Sequence, residues 1–230
     1  MWSRQRWMYA NSRVPTSTQQ GVHAQLPRLL ERHARVPFRK PYADYNQRAF
    51  AISFARYQGY AAHAPLILDS CCGGGESSLR LATEYASHYV IGVDQSAVRL
   101  GRSTAGAAGW PANLDLVRAD VVDFWRLLRD AGVRLDQHYL LYPNPWPKIG
   151  HLGRRWHGHA VFPALLELGG VLECRSNWEI YLAEHCLAVQ RLTGRTVSCQ
   201  AYVPTDLMTP FERKYAASGH RLWRAVVDLR

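Results

Sequence analysis

The sequence predicts an α/β fold in which helices cover both faces of a mostly parallel sheet. Two observations predict it. Short apolar runs alternate with helical patterns from residue 66 onwards, which is typical of strand–helix–strand units. A glycine-rich turn at residues 73–75 also follows the first apolar run and precedes a helical pattern, as in sites for nucleotide-type cofactors.

The residues before the first strand predict an extension rather than part of the sheet. Residues 1–18 carry no periodic pattern, and we expect them to be flexible. Residues 19–34 fit a helix that Pro27 breaks or restarts. Residues 42–60 fit a second helix, which would pack against the sheet through a set of apolar side chains. That set comprises Phe50, Ile52, Phe54 and Tyr57.

Seven segments fit strands by their apolar and β-branched content. They are residues 66–69, 89–94, 114–120, 138–142, 171–176, 197–203 and 222–229. The first three end in Asp69, Asp94 and Asp120. Ligands of open parallel sheets bind at the carboxyl ends of the strands, so we expect these acids to lie at the site.

Helical patterns fill the gaps between these strands. They cover residues 77–85, 96–108, 121–131, 158–168 and 178–192. Ser96 is a good N-cap for the second of them, and Gly169 and Gly170 end the fourth. We therefore expect a basic N-terminal extension over residues 1–60 and one main domain over residues 61–230.

The charge of the chain points to a polyanionic partner. The formal net charge is +10, and residues 1–60 hold ten Arg or Lys against only Glu31 and Asp44. Aromatic residues lie among these charges, which suits nucleic acid; a solvated basic tail is the alternative. No apolar run approaches a membrane span and no hydrophobic signal core follows Met1, so we expect a cytoplasmic protein.

Cysteine and histidine give no sign of a disulfide framework or a metal site. The five cysteines include no CxxC pair, and reduced structural thiols explain them best. His151, His157 and His159 cluster without a nearby cysteine or carboxylate in ligand spacing. We expect no metal.

Two of the strand-end acids suggest an adenosine-containing cofactor. Asp94, at the tip of the second strand, suits hydrogen bonding to both ribose hydroxyls. Asp120 would accept a hydrogen bond from an adenine amino group. A nicotinamide-binding protein has no particular need of that third acid.

The most specific segment runs from Tyr142 to Arg155, after the fourth strand. Its three prolines within five residues fix the backbone and present the side chains between them rigidly. Trp146 offers a face for base stacking, and a group of basic side chains offers charge to phosphates. That group comprises Lys148, Arg154 and Arg155. A stiff connection with an ordinary basic surface is the alternative reading.

The order Asp69…Gly73–Gly75, Asp94, Asp120 resembles the Rossmann-like methyltransferases that use S-adenosylmethionine. Cys71 stands where that family usually has the first glycine of its turn. The segment around Asn144-Pro145-Trp146 is similar to the proline–aspartate–proline–tryptophan/histidine stretch of the tRNA (guanine-N7-)-methyltransferases. Two further blocks resemble that family, Ser176–Tyr181 and Thr209–Glu212.

The resemblance implies a Rossmann-like fold with a seven-stranded sheet, and it implies roles for particular residues. The cofactor would be held by Asp69, Cys71, Gly73, Gly75, Asp94, Asp120 and Asn144. Asn144 and Trp146 would be catalytic by placing the base. The tRNA or its target nucleoside would contact Lys148, Arg154, Arg155, Asn177, Thr209, Phe211 and Glu212.

Two residues depart from the family, which has aspartate where this chain has Asn144 and Asn177. Guanine N7 needs no deprotonation before methylation, and an asparagine amide can donate to guanine O6, so Asn144 is compatible with activity. The resemblance thus implies methyl transfer from S-adenosylmethionine to guanine N7 in the variable loop of tRNA, by a monomer or weak homodimer. The alternatives are a methyltransferase acting on an exocyclic or amide nitrogen of nucleic acid or protein through Asn-Pro-Trp, and a non-catalytic RNA-binding relative.

Overall fold

A computed structural model describes residues 11–60, 64–102, 109–197 and 199–230. The strands are β1 (Leu66–Ser70), β2 (Tyr89–Asp94), β3 (Leu114–Arg118), β4 (Gln137–Leu141), β5 (Val171–Ser176), β6 (Cys199–Tyr202) and β7 (Leu222–Asp228). The α-helices of the described residues are α1 (Leu26–Arg35), α2 (Asp44–Tyr60), α3 (Glu76–Glu84), α4 (Ala97–Leu100), α5 (Val121–Asp130), α6 (Phe162–Glu167), α7 (Glu179–Thr193) and α8 (Pro210–Ala217).

The strands form one seven-stranded sheet in the order β3-β2-β1-β4-β5-β7-β6. β1 pairs in parallel with β2 and β4, and β2 pairs in parallel with β3. β6 and β7 pair antiparallel, with Cys199 opposite Ala225. The predicted α/β class with a mostly parallel sheet is confirmed.

The chain divides into two compact units. One takes in the described residues up to Phe38, together with Tyr142–Leu166 and Glu173–Leu229. The other takes in Arg39–Leu141, Glu167–Leu172 and Arg230. The first is called here the loop unit, because it contains the proline-rich segment. The second is called the turn unit, because it contains the glycine-rich turn.

The core of the turn unit is built on β1 and β2. Every residue of both strands is buried, as expected of parallel strands covered on both faces, which consist of nearly continuous apolar runs. Helix α5 buries Phe124, Trp125 and Leu128, which follow the 3.6-residue period of a helix. The predicted helix over 121–131 is therefore confirmed.

Helix α2 belongs to the turn unit, and two of its predicted apolar contacts are present. Phe50 packs edge-on against Phe124 with ring centroids 5.5 Å apart, and Tyr57 lies 5.6 Å from Tyr89. The prediction for Ile52 was wrong, because its side chain is 57% exposed. Ser53, its neighbour, is buried instead and lies on the same helical face as Phe50 and Tyr57.

The loop unit contains the helix that Pro27 was expected to interrupt. Helix α1 begins at Leu26, so Pro27 lies in its first turn, where a missing N–H costs nothing. Leu26 and Leu30 are buried along one stripe. Pro27 therefore restarts the helix rather than breaking it.

Several predicted boundaries shift in the structure. α4 ends at Leu100, and the rest of the predicted 96–108 helix includes residues 103–108, which lie outside the described residues. The predicted helix over 158–168 is instead a 3-10 turn at Trp156–Gly158 followed by α6. A Cβ on Gly158 would lie 2.2 Å from the Leu152 carbonyl oxygen, so this position admits only glycine. Helix α8 was not predicted.

Candidate active site

The glycine-rich turn of the turn unit uses backbone angles that favour glycine. Gly73 and Gly75 have φ of 63° and 76°. A Cβ on Gly75 would lie 2.6 Å from Leu116 Cδ1, whereas a Cβ on Gly73 would meet no described atom within 4 Å. Gly75 is thus required for packing onto β3, and Gly73 leaves room for a ligand at the turn.

Cys71 adopts the conformation of the glycine it replaces. Its φ is 63°, a left-handed value that costs an L-residue about 1–2 kcal/mol. The side chain is half-buried, and burial, with Asp94 and Asp69 nearby, raises the pKa of the thiol well above its usual value. The thiol is therefore neutral, and the turn keeps its shape at a cost in strain.

Asp69 is a buried carboxylate with one unsatisfied oxygen. The hydroxyls of Ser77 and Ser78 donate to its Oδ2 at 2.6 and 2.7 Å. Its Oδ1 is buried without a donor from the described residues. Burial, together with the charge of Asp94, raises the pKa of Asp69 to about 6 despite the two serine hydrogen bonds. A ligand that donates a hydrogen bond or carries positive charge would complete this group.

Asp94 ties the turn to the start of α4. Its Oδ2 accepts a hydrogen bond from the Gly73 N–H at 3.0 Å, and its Oδ1 accepts one from the Ser96 N–H at 2.8 Å. Arg99, itself about half exposed, lies 3.5 Å from Oδ2. A carboxylate oxygen can accept more than one hydrogen bond, so these partners are compatible with the contact to ribose hydroxyls, which stays a prediction.

Asp120 lies in a turn rather than at the end of a strand, because β3 ends at Arg118. Its Oδ1 accepts a hydrogen bond from the Val122 N–H at 3.0 Å and so caps α5. Its own N–H donates to Asn46 Oδ1 at 3.0 Å, and Asn46 Nδ2 donates to Asp123 Oδ2 at 2.7 Å. Asn46, which lies in no motif of the sequence, therefore holds this turn from α2.

The proline-rich segment of the loop unit is held in an unusual conformation. Tyr142 and Trp146 have positive φ values of 50° and 45°. Asn144 is exposed, and its Oδ1 accepts a hydrogen bond from the Trp146 N–H at 3.3 Å. This bond orients the asparagine amide, since it engages the carbonyl end of the side chain.

An arginine and a histidine lie against the Trp146 ring. The Arg154 guanidinium carbon lies 4.9 Å from the ring centroid, and the His151 ring lies edge-on at 5.5 Å. Lys148 and Arg154 are exposed. Arg154 is thus an exposed cation against the Trp146 ring, and Lys148 lies two residues from Trp146 in the same segment.

Arg155 differs from its neighbour and from the expectation of a surface phosphate contact. Its side chain is 0% exposed and forms an ion pair with Glu184 at 2.6 Å. Its Nε also donates to the Trp146 carbonyl oxygen at 3.2 Å. The Arg155 guanidinium therefore links the backbone of the proline-rich segment to the buried Glu184 carboxylate.

Glu212 is likewise buried, with 0% exposure, among donors from its own unit. The Tyr142 hydroxyl and Arg175 Nη1 donate to its Oε1 at 2.8 and 3.0 Å. Its Oε2 accepts from the Met208 N–H at 2.8 Å. These contacts fix Tyr142, the first residue of the proline-rich segment. Arg175 belongs to no motif that would have identified it in the sequence.

Thr209 and Phe211 flank Glu212. The Thr209 hydroxyl accepts a hydrogen bond from the Glu212 N–H at 3.0 Å and caps α8, while Phe211 is 43% exposed. A threonine followed three residues later by glutamate is a helix N-terminus signature. That signature could have predicted α8.

Asn177 is paired with a histidine that sequence reasoning missed. Its Nδ2 lies 3.0 Å from His220 Nδ1, and His220 Nε2 lies 3.1 Å from the Ser12 carbonyl oxygen. The amide nitrogen can only donate, so Nδ1 accepts and Nε2 carries the proton. An aspartate at position 177 could only accept, so both ring nitrogens of His220 would have to carry a proton to keep both contacts.

The described residues contain neither a metal-binding cluster nor a membrane-spanning helix. No group of three or more His, Cys, Asp or Glu side chains in them is arranged to hold a metal ion. None of the helices formed by those residues combines the length and apolar character needed to cross a membrane.

Comparisons with known proteins give consistent results. Residues 63–225 match the family described as "Putative methyltransferase". A tRNA (guanine-N(7)-)-methyltransferase of Stutzerimonas stutzeri (strain A1501) is 32% identical over 182 residues, which is 71% of this chain and 72% of that protein. One of Leifsonia xyli subsp. xyli is 29% identical over 72% of this chain and 75% of its own length.

Solved structures share the fold at low identity. An antibiotic-related methyltransferase covers 83% of this chain and 96% of its own, with a TM-score of 0.56 and 12% identity. The 16S rRNA methyltransferase KamB covers 82% and 94%, with a TM-score of 0.55 and 16% identity. These likenesses confirm the Rossmann-like methyltransferase fold, and the match to the first relative, over more than two thirds of both chains, identifies the family. The chain belongs to the tRNA (guanine-N(7)-)-methyltransferase family.

Proposed function

We propose that this protein transfers a methyl group from S-adenosylmethionine to N7 of a guanine in the variable loop of tRNA. The observation that carries the proposal is the 32% identity to a tRNA (guanine-N(7)-)-methyltransferase, in a match that covers 72% of that relative. The protein would act in the cytoplasm on tRNA, as a monomer or weak homodimer.

The turn unit has features that fit the cofactor. Asp69 Oδ1 is a buried acceptor without a donor from the described residues, and an amino group of the cofactor would supply one. The space beside Gly73 admits a ligand at the turn. Asp94 would bind the ribose hydroxyls, and Asp120 would lie near the adenine. When bound, the cofactor supplies an electrophilic methyl group on a sulfonium.

The loop unit has features that fit the base. Guanine N7 carries a free lone pair, so the protein has to align it rather than deprotonate it. Correct orientation of reacting groups accounts for about 7–11 kcal/mol in favourable cases. Asn144, oriented by the Trp146 N–H, would donate from Nδ2 to guanine O6, and the Trp146 ring would stack on the base.

The exposed cations of the same unit fit the phosphates. Lys148 and Arg154 would contact the tRNA backbone, and Phe211, being exposed, would offer apolar contact to a nucleoside. Asn177 and Thr209 are almost fully buried and would act on the target nucleoside mainly through the backbone that they support. Glu212 would act through Tyr142.

Methyl transfer from labelled S-adenosylmethionine to unmodified tRNA, followed by nucleoside mass spectrometry, tests the proposal. We expect the label in 7-methylguanosine. Label on another nucleoside would move the assignment to amino-nitrogen chemistry. No transfer, with both cofactor and tRNA bound, would identify a non-catalytic relative.

A further inference from the structure

We propose that three buried or partly buried residues position the proline-rich segment in its active conformation: Arg155, Glu184 and Gln19. Residues 17–23, called here the strap, would hold that segment in place through these contacts. The proposal rests on the proposed function, since it assigns a role in placing the base. Neither Glu184 nor Gln19 belongs to a recognised motif, and Arg155 was expected at a phosphate.

Arg155 and Glu184 form a buried ion pair, which His157 joins. Arg155, Glu184 and His157 all have side chains with 0% exposure. Arg155 Nη1 donates to Glu184 Oε2 at 2.6 Å, and His157 Nε2 lies 2.8 Å from the same oxygen. Burial alone would raise the pKa of Glu184, but His157 and Arg155 outweigh it and lower that pKa to about 2. The carboxylate therefore stays charged throughout the neutral range.

Arg155 also connects the ion pair to the backbone of the proline-rich segment. Arg155 Nε donates to the Trp146 carbonyl oxygen at 3.2 Å, and Nη2 reaches the Lys148 carbonyl oxygen at 3.5 Å. Trp146 carries a φ of 45°, which is unfavourable for a large side chain. Such a conformation persists only where its surroundings over-determine it, and the guanidinium fork of Arg155 does so here.

The strap adds hydrogen bonds to this network. Gln19 Nε2 donates to Glu184 Oε1 at 2.6 Å, and Gln19 Oε1 accepts from Arg155 Nη2 at 3.0 Å. The His23 N–H also donates to Glu184 Oε1 at 2.9 Å. The Ser17 hydroxyl donates directly to the Pro147 carbonyl oxygen at 2.5 Å. Residues 17–23 therefore contact both the buried ion pair and the segment that it supports.

Arg155→Lys and Gln19→Ala test the proposal, with Arg154→Gln as the neighbouring control. Arg155→Lys keeps the charge beside Glu184 but loses the planar fork. We expect kcat for tRNA methylation to fall by about tenfold or more, as for a lost alignment. The Kd values for S-adenosylmethionine and for tRNA should change by less than about threefold, since the remaining binding contacts are intact.

Amide hydrogen exchange gives a readout that does not need activity. Exchange over residues 143–154 should accelerate in Arg155→Lys and, to a smaller degree, in Gln19→Ala, while the turn unit stays unchanged. Arg154→Gln should weaken tRNA binding without accelerating exchange. If Arg155→Lys does not fold, the result for Gln19→Ala decides.

The proposal would be overturned if Arg155→Lys changed neither the amide hydrogen exchange nor kcat. It would also be overturned if that variant raised the Kd for tRNA without changing the exchange. The second result would make Arg155 a direct phosphate contact. Wild-type protein that methylates no tRNA would remove the proposed function instead. In that case hydrogen exchange alone would still decide whether these residues hold the segment.

Discussion

At the scale of single residues, Cys71 shows how a departure from a family pattern is tolerated. The backbone there has a φ of 63°, so the turn has retained the shape that a glycine would give it. The residue is identifiable from the sequence as a replaced glycine. Its backbone conformation cannot be predicted from the sequence. Only the structure shows that Cys71 keeps the strained, left-handed φ instead of changing the shape of the turn.

Cys71→Gly should therefore stabilise the protein. Removing a left-handed L-residue recovers about 1–2 kcal/mol, and the extra freedom of glycine in the unfolded chain costs about 0.5–1 kcal/mol. We expect a net gain of about 1 kcal/mol in the free energy of unfolding, measured by urea denaturation. Cys72→Gly is the control, because Cys72 has no positive φ, and it should destabilise. A loss of stability in Cys71→Gly would show that the thiol contributes packing that outweighs the strain.

The buried Asp69 should make cofactor affinity depend on pH. Burial raises its pKa to about 6, so the free protein is protonated there below that pH. A positively charged amino group favours the carboxylate, and S-adenosylmethionine should therefore bind less tightly as the pH falls through 6.

The same shift affects stability with a definite sign. Between about pH 4 and 6 the native state binds more protons at Asp69 than the unfolded state, so its contribution to stability decreases as the pH rises through that window. Asp69→Asn should flatten both dependences, as measured by calorimetric titration and urea denaturation at pH 5 and 7. An unchanged pH profile of affinity in Asp69→Asn would exclude Asp69 as the titrating group.

Asn144 should be needed for turnover but not for folding. It is exposed, and its one hydrogen bond within the described residues goes to the Trp146 N–H. Asn144→Ala should lower kcat/KM for tRNA by about tenfold, which corresponds to one lost hydrogen bond of roughly 1.4 kcal/mol. Cofactor affinity should fall far less, because the buried acids of the turn unit remain. Asn144→Asp gives the converse test, since a large gain of activity would mean that the asparagine marks a decayed site.

At the scale of elements, Asn46 connects helix α2 to the turn that carries Asp120. The amide accepts from the Asp120 N–H and donates to Asp123, and the residue is buried. Asn46→Ala would leave both groups without this partner, at a cost of about 1–3 kcal/mol. We expect that loss in urea denaturation, together with weaker binding of S-adenosylmethionine.

Ser53 provides the matched control on the same helix. It is as deeply buried as Asn46, but its hydroxyl has no hydrogen-bond partner from the described residues. Ser53→Ala should therefore leave the free energy of unfolding unchanged or raise it. If both alanine variants destabilise equally, packing rather than hydrogen bonding explains the effect of Asn46.

The elements differ in how well the sequence predicted them. β2 and β5 match their predicted residues because continuous apolar runs between turn signals leave little ambiguity. Helix α8 was missed because its short segment has a weak apolar stripe, although Thr209 and Glu212 carried a capping signature. The contacts of Asn46, Arg155 and His220 could not be predicted, since each joins residues far apart in the chain and no local pattern encodes that proximity.

At the scale of the whole molecule, the +10 net charge predicts tRNA binding that weakens with salt. Each phosphate contact releases counterions and contributes about −0.7 to −0.9 to the slope of log K against log salt. The charge alone does not say which cations make contact. Arg154 and Lys148 are the best candidates, because Arg154 lies against the Trp146 ring and Lys148 is exposed two residues from Trp146 in the same segment.

Lys148→Gln should accordingly reduce that slope by about 1 and weaken tRNA binding at low salt. Arg191→Gln removes the same charge from the exposed end of α7, outside the motif segments, and should leave the slope unchanged. Filter binding between about 50 and 200 mM salt measures both, a range over which electrostatic contacts change affinity strongly. If the two variants reduce the slope equally, the tRNA responds to net charge and not to a defined contact at Lys148. A reduction confined to Lys148→Gln would place a phosphate at the segment that presents Asn144 and Trp146, and so connect backbone recognition to placement of the base.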